Sequence, residues 1–149
     1  MQRRSAGNRF LETEIHGKPE ILFDHDGLAL PAPFDIEHHK EALAARRQRL
    51  PILFDLFQVF VLKELNRGND IEALSFYHGF TLRPLVEALR ILHSPHRSSF
   101  QTRYIQYDLP PEVVERARDL FFVRDGEDLR RRLVEARILF EETMERLRR

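Results

Sequence analysis

The sequence predicts a mainly α-helical protein: a bundle of four to five helices preceded by a short β segment at about residues 9–25. Two patterns predict this fold. After residue 35, apolar residues recur every three or four positions, the spacing of one buried helix face. Nearer the N-terminus, two short apolar runs flank a Gly turn, as in a hairpin. We therefore expect residues 1–34 to be a β segment and linker, and residues 35–149 to be a helical bundle domain.

Composition narrows the classes of partner. The chain of 149 residues carries 24 basic and 24 acidic side chains, so its net charge predicts no nucleic-acid or anionic-membrane partner. It has no cysteine, which excludes disulfides and thiolate catalysis. No apolar run approaches the ~20 residues of a membrane span. We expect a cytoplasmic protein without membrane contact.

The N-terminal elements follow from short motifs. "RFLETEIHGK" and "ILFD" are predicted strands joined by the turn "HGKP". The linker "PAPFD" ends in Asp35, a residue type that caps helix N-termini. The first helix is predicted from a stripe of apolar residues seven apart: Ile36, Leu43, Leu50 and Phe57. Pro51 is expected to kink or restart this helix, and Gly68 to follow its end.

The later helices are predicted in the same way. A second helix begins at Asp70, with Pro84 bending it or marking a first turn. Residues 93–109 are predicted to form a long loop, and "LPPEVVERARDLFF" a short helix entered through its prolines. "DGED" opens the last helix. The predicted buried faces are Leu82, Leu85, Val86 and Leu89 in the second helix, and Leu129, Leu133, Ala136, Phe140, Met144 and Leu147 in the last.

The stretch "ILFDHDG" resembles the first motif of haloacid-dehalogenase-type phosphatases, in which two Asp residues act as nucleophile and acid–base partner. Leu28 stands where that motif has Thr or Val, and the remaining chain lacks alternating strands and helices. The later acidic pair, Asp125 and Asp128, suits a helix cap better. We interpret the stretch as a strand ending in an Asp/Gly turn.

A basic window supplies the candidate binding residues. Residues 88–107 contain no acidic side chain, and arginine matches phosphate with two parallel donors. The candidates for contact with a nucleotide, phosphate or acceptor are Arg83, Arg90, His93, His96, Arg97, Arg103 and Tyr104. A structural alternative stays open, because Arg83, Glu87 and Arg90 share a helical stripe and would form an ion-pair ladder. No metal site is predicted, since no carboxylate accompanies the two histidines.

Four motifs in order resemble the C-terminal part of antibiotic-type nucleotidyltransferases, the group that includes aminoglycoside adenylyltransferases: "ILFDHDG", the helix ending "LNRGN", the helix "FTLRPLVEALRILHSPHR" and the loop "RYIQYDLP". In that family a small sheet carries the catalytic carboxylates, and a helical domain forms part of the substrate cleft. The family's Gly-Ser and Asp-x-Asp signature, expected before "ILFDHDG", is absent from the twenty residues there.

This resemblance implies a non-catalytic, substrate-binding accessory domain, in which residues 1–34 are the remnant of a sheet domain. It implies no catalytic residue and no cofactor on this chain, with Mg²⁺ and a nucleoside triphosphate entering only if a catalytic domain is joined. The implied partners are that catalytic domain or further copies of the chain, and a nucleotide or small-molecule acceptor. We expect no transferase activity from the chain alone.

Two alternatives belong to other classes. Arg90 and His96 are six residues apart, a spacing that resembles the R-x(4–6)-H motif of HEPN-type ribonucleases, which are homodimeric and helical. The chain would then cleave RNA. The other alternative is a plain helical interaction module that buries an apolar face against a partner chain.

Overall fold

The computed structural model describes residues 12–24 and 33–149, and these are mainly helical, as predicted. The α-helices of the described residues are α1 (Thr13–His16), α2 (Ile36–Asn66), α3 (Asp70–Phe76), α4 (Arg83–His93), α5 (Ile105–Asp108), α6 (Pro111–Phe121) and α7 (Gly126–Arg148). A π-helical turn (Tyr77–Leu82) joins α3 to α4, and a 3₁₀ helix (Pro95–Phe100) follows α4.

The predicted β segment is wrong within the part of the chain that the structure describes, where no strand occurs. Instead, α1 forms one helical turn, in which the Gly17 N–H donates to the Thr13 carbonyl at 3.0 Å. Gly17 ends the turn at a φ of +79°. Ile21 and Leu22 are exposed. A short alternating pattern becomes a strand only beside another strand. Residues 9–11 and 25 of the predicted segment lie outside the described residues, as does Asp26.

The chain divides into two compact units, Met1–Glu41 and Ala42–Arg149, whereas the sequence placed the boundary after residue 34. In the first unit, the Asp35 carboxylate accepts a hydrogen bond from the His38 backbone N–H at 2.9 Å. This contact satisfies one of the free N–H groups at the start of α2. The predicted N-cap is confirmed.

In the second unit, α2 and α7 run antiparallel. Asp55 pairs with Arg137 at 2.8 Å, and Asn66, later in α2, accepts from Arg130, earlier in α7, at 3.0 Å. The Phe54 ring stacks on a Phe ring of α7 with centroids 3.9 Å apart. The predicted faces of the second and last helices are buried, because their apolar side chains meet in this core.

The predicted restart of the helix at Pro51 is wrong, since α2 continues from Ile36 to Asn66. Pro51 removes the hydrogen bond that would reach the Arg47 carbonyl, but Arg47 lies in an exposed part of the helix, where water can bond that carbonyl. Packing of α2 on both sides of Pro51 then outweighs a single missing bond.

Pro84 has the larger effect on its helix. Its ring crowds the carbonyl four residues earlier, that of Phe80, and supplies no N–H to it. The backbone here is the π-helical turn. The buried Gln58 side chain donates to the Phe80 carbonyl at 3.2 Å, and its oxygen accepts from the Thr81 hydroxyl at 2.8 Å. Gln58 therefore supplies part of the bonding that Pro84 removes. The prediction that Pro84 marks a first helical turn is confirmed, since α4 begins at Arg83.

The last two helices begin as predicted. Pro111 opens α6, preceded by Pro110 in an extended conformation. Asp125 accepts from the Asp128 backbone N–H at 2.8 Å, and the Asp128 carboxylate accepts from the Arg124 N–H at 3.1 Å. This reciprocal arrangement resembles a capping box and confirms that the acidic pair is a helix cap. None of the helices in the described residues is long and apolar enough to cross a membrane.

Candidate ligand-binding site

Arg90 is the best-buried charged residue of the second unit, at 0% exposure. From α4 its guanidinium donates to the backbone carbonyls of Gln101 and Arg103 and to the Asp108 carboxylate, the last at 2.8 Å. A further contact reaches the Arg97 carbonyl at 3.4 Å. Arg90 thus holds the segment between α4 and α6, residues 94–110, against the helical core. We call residues 94–110 the anchored segment, and Arg90 with Asp108 the anchor.

These contacts hold a strained backbone. Gln101 has a φ of +54° and Tyr104 a φ of +58°, in the left-handed region that side chains other than glycine rarely adopt. Both residues lie in the segment that Arg90 holds. Strain of this kind persists only where surrounding contacts determine the conformation, and it clusters at binding sites.

Asp108 completes the anchor. One carboxylate oxygen accepts from Arg90 at 2.8 Å and the other from Arg97 at 2.7 Å. Burial alone would raise the pKa of Asp108, but the hydrogen bonds and charges of the two arginines lower it below its ordinary value. The carboxylate is therefore ionised under ordinary conditions, and the cluster stays charged and paired.

The alternative ion-pair ladder of Arg83, Glu87 and Arg90 does not form on α4. Glu87 instead binds Arg46 of α2 with both carboxylate oxygens, one at 2.7 Å, and Arg90 binds Asp108. Arg83 remains exposed on α4 and makes no ion pair with any residue that the structure describes. Arg83 is therefore a cation that the rest of the described chain does not neutralise.

Around the anchored segment, two predicted arginines share one aromatic ring. The guanidinium carbon of Arg97 lies 5.7 Å from the Phe100 ring centroid and that of Arg103 lies 5.1 Å from it, both within cation–π range. Tyr104 is 59% exposed beside the same ring, with centroids 6.4 Å apart. Together these side chains form a basic and aromatic surface.

The two predicted histidines have different surroundings. His96 is exposed in the 3₁₀ helix. His93, at the end of α4, is partly buried, and its Nε2 has no hydrogen-bond partner among the described residues. Burial lowers the pKa of His93, and Arg146 lowers it further against the opposing effect of Glu112. His93 is thus a neutral side chain packed between helices, near Arg146 and Glu112.

A cleft of about 460 Å³ lies beside the anchored segment. Its residues come from α2, the π-helical turn, α4 and the 3₁₀ region: Arg46, Leu53, Phe57, Gly79, Phe80, Arg83, Pro84, Glu87, Ser98, Ser99 and Gln101. Clefts of 300–1,000 Å³ with apolar walls and a few polar groups are the usual shape of small-molecule sites. Gln101 belongs to the anchored segment and also lines the cleft. Because Arg90 binds the Gln101 carbonyl, Arg90 positions one wall of this cleft.

The cleft joins an aromatic wall to a positive charge. The rings of Phe57 and Phe80 stack at 4.8 Å and 19°. Gly79 leaves open space beside them, because a Cβ added there would meet no atom within 4 Å. The lining holds two arginines and one glutamate, a net charge of plus one, and Glu87 is already paired. An aromatic or apolar ligand with an anionic group fits these features.

Of the predicted residues, Arg83 lines the cleft and Arg90 supports it, while Arg97, Arg103 and Tyr104 lie on the neighbouring surface. Sequence reasoning missed Phe57, Phe80 and the serines, whose only sequence signal was Pro84 inside a helix followed by a Ser-rich loop. No three His, Asp or Glu residues among those described lie together as metal ligands would. No protein-family model, curated protein or solved structure matches the chain.

Proposed function

We propose that the helical unit is a non-catalytic, substrate-binding domain of nucleotidyltransferase type, whose cleft forms one wall of a nucleotide or acceptor site. A catalytic domain, in another chain or joined to this one, would supply Mg²⁺ and the transfer chemistry. The proposal rests first on the order of sequence motifs, and second on the cleft beside the anchored segment.

The observation that carries the proposal is Arg83 facing an aromatic-walled cleft without an acidic partner among the described residues. A nucleotide has a ring system that stacks on aromatic side chains and phosphates that arginine binds with charge-assisted hydrogen bonds. Phe57 and Phe80 would contact the ring system, while Arg83 would contact a phosphate. The hydroxyls of Ser98 and Ser99 add donors in the same cleft.

The RNA-cleaving alternative finds less support. It requires Arg90 to contact an RNA phosphate, yet Arg90 is fully buried and its donors are bonded to three backbone carbonyls and Asp108. Exposing Arg90 would break all of these bonds at once. We therefore assign Arg90 the role of positioning the cleft wall.

The proposal is tested by titrating the chain with ATP and following heat or amide chemical shifts, since the protein has no tryptophan to report by fluorescence. We expect binding by the wild type and about tenfold or more weaker binding by Arg83→Ala, because a hydrogen bond to a charged group is worth about 1.5–3 kcal/mol.

Arg118→Ala is the matched control. It removes the same charge from an exposed helix position outside the cleft, where Arg118 lies 3.7 Å from Glu115. If the wild type does not bind ATP, or if both variants lose the same affinity, the cleft is not a nucleotide site.

A further inference from the structure

The α2–α7 pair has an exposed apolar surface on the side away from its core. We call it the outer face; its members are Ile52, Leu56, Val59, Leu62, Val134 and Ile138. Their exposed fractions are 42–68%. The Asp55–Arg137 ion pair lies among them and joins the two helices, so the six side chains form one patch.

Helix α2 therefore has two apolar faces, a buried face in the core and the exposed outer face. Leu50, Phe54 and Val61 point into the core at 1% exposure or less, while Ile52 and Leu56 point outward. A helix that is apolar on opposite sides is normally buried on both. Along the outer stripe, positions 49, 52, 56, 59 and 63 alternate steps of three and four, the seam that helices use to pack on other helices.

On α7 the outer stripe carries opposite charges at its two ends. Arg131 lies before the apolar pair Val134 and Ile138 and also contacts Asp128 and Glu135 of its own helix. Glu141 lies after the pair, 3.6 Å from Arg137. In an antiparallel pair of α7 helices, residues equally distant from position 136 meet. Val134 would then face Ile138 of the second copy, and Arg131 would face Glu141 of the second copy. The stripe is therefore complementary to itself under a two-fold rotation.

The same two-fold axis suits α2. The Asp55–Arg137 and Phe54–Phe140 contacts place position 56 of α2 within about one helical turn of position 136 of α7. An axis through this level sets Leu56 against Leu56 of the second copy, at the middle of the apolar stripe. The stripe ends, Arg49 and Lys63, would approach each other, but the Lys63 ammonium lies 3.4 Å from Glu64 and has a counter-ion of its own.

From this we infer that the outer face binds a second copy of the chain, with α2 on α2 and α7 on α7 in antiparallel pairs. The result is a four-helix arrangement made of two helices from each copy, which removes both apolar stripes from water. The cleft is lined on α2 by Leu53 and Phe57, which are not members of the outer face, so separate variants test dimerisation and ligand binding.

Sedimentation equilibrium of the full chain, from about 1 µM to about 1 mM, tests the inference. We expect a dimer for the wild type and about a 100-fold larger dissociation constant for Leu56→Lys, which would set two like charges together on the axis. Ile71→Lys is the matched control, because Ile71 is 90% exposed on α3 and lies outside the outer face. A monomeric wild type, or equal association of the two variants, overturns the inference.

A charge swap tests the antiparallel register. Glu141→Arg alone should weaken association, and adding Arg131→Glu should restore it, because each copy then again presents opposite charges to the other. Urea unfolding of each variant at low concentration checks that the monomer is intact. Restoration supports the register; a folded double variant that stays as weak as Glu141→Arg contradicts it.

Discussion

The α2–α7 contact and the segment between α4 and α6 are both ordered, but by opposite kinds of interaction. The first belongs to an apolar core shared by many side chains, where Phe54 of α2 stacks on Phe140 of α7. The second depends on one guanidinium, Arg90, which holds backbone carbonyls that helices and sheets leave unpaired. Apolar contact area is distributed over many residues, whereas this polar anchor is concentrated in a single side chain.

The difference has consequences for stability. Loss of one apolar side chain removes contact area from a cooperative core, so the whole unit becomes less stable. Loss of the anchor should instead free one segment first, because few buried apolar residues lie between Pro95 and Asp108 to hold it. The segment that lines the cleft is thus ordered separately from the core that supports it.

The largest expected effect on stability comes from a change in the apolar core. Phe54→Ala should lower the free energy of unfolding by about 4 kcal/mol, through lost transfer energy and a residual cavity. Phe54 is 1% exposed, and it also lies 5.7 Å from the guanidinium carbon of Arg137. Urea unfolding measures the loss. Phe122→Ala, at a 69% exposed ring, is the control. Equal losses in the two variants would mean that the stacked pair is not central to stability.

In the anchored segment, Arg90→Met should lower the free energy of unfolding by about 3 kcal/mol, because it leaves the buried Asp108 and several carbonyls with fewer donors. Amide hydrogen exchange should accelerate first in residues 95–108, whereas Phe54→Ala should accelerate exchange throughout the unit. Arg116→Met, which removes an exposed pair with Glu142, should cost under about 1 kcal/mol. Uniform acceleration in Arg90→Met would contradict a separately ordered segment.

The smallest effect is pH dependence. Because the folded pKa of Asp108 is lowered, its contribution to stability is complete above the unfolded pKa of about 4. The contribution is lost as pH falls through the lower folded value. Asp108→Asn should therefore lower the free energy of unfolding by roughly 1 kcal/mol at neutral pH. Below about pH 4 the stability of this variant should decline less than that of the wild type.

Urea midpoints measured between about pH 2 and about pH 7 provide the comparison. Glu115→Gln, which removes an exposed carboxylate of α6, is the control. Parallel pH profiles for the wild type and Asp108→Asn would show that the anchor does not depend on an ionised carboxylate.

Most of the helical core was predictable from residue order. The apolar spacing in α4 and α7, the caps at Asp35 and Asp125, and the proline start of α6 all depend on interactions within a few residues. The expected strands near residues 9–25 failed because a strand needs a partner elsewhere in the chain. The helix does not restart at Pro51 because Leu50 and Phe54, which are buried on either side of it, outweigh one local bond.

The candidate site was only partly predictable. The candidate residues included Arg83 and the arginines of the neighbouring surface, but charge composition does not distinguish an arginine that faces solvent from one that holds a loop. Burial separates Arg90 from Arg83, and burial depends on residues such as Asp108, eighteen positions away. The aromatic wall likewise required α2 and the π-helical turn to meet.

The sequence by itself therefore determined the buried faces of α4 and α7 and the starts of α2, α3, α6 and α7, since each depends on neighbours within one or two turns. Only the tertiary structure decided that Arg90 is an anchor, that Gln58 supports the turn before Pro84, and that Phe57 and Phe80 share a cleft with Arg83. These roles join residues distant in the chain, and the contacts between distant residues are set by which helix faces pack together.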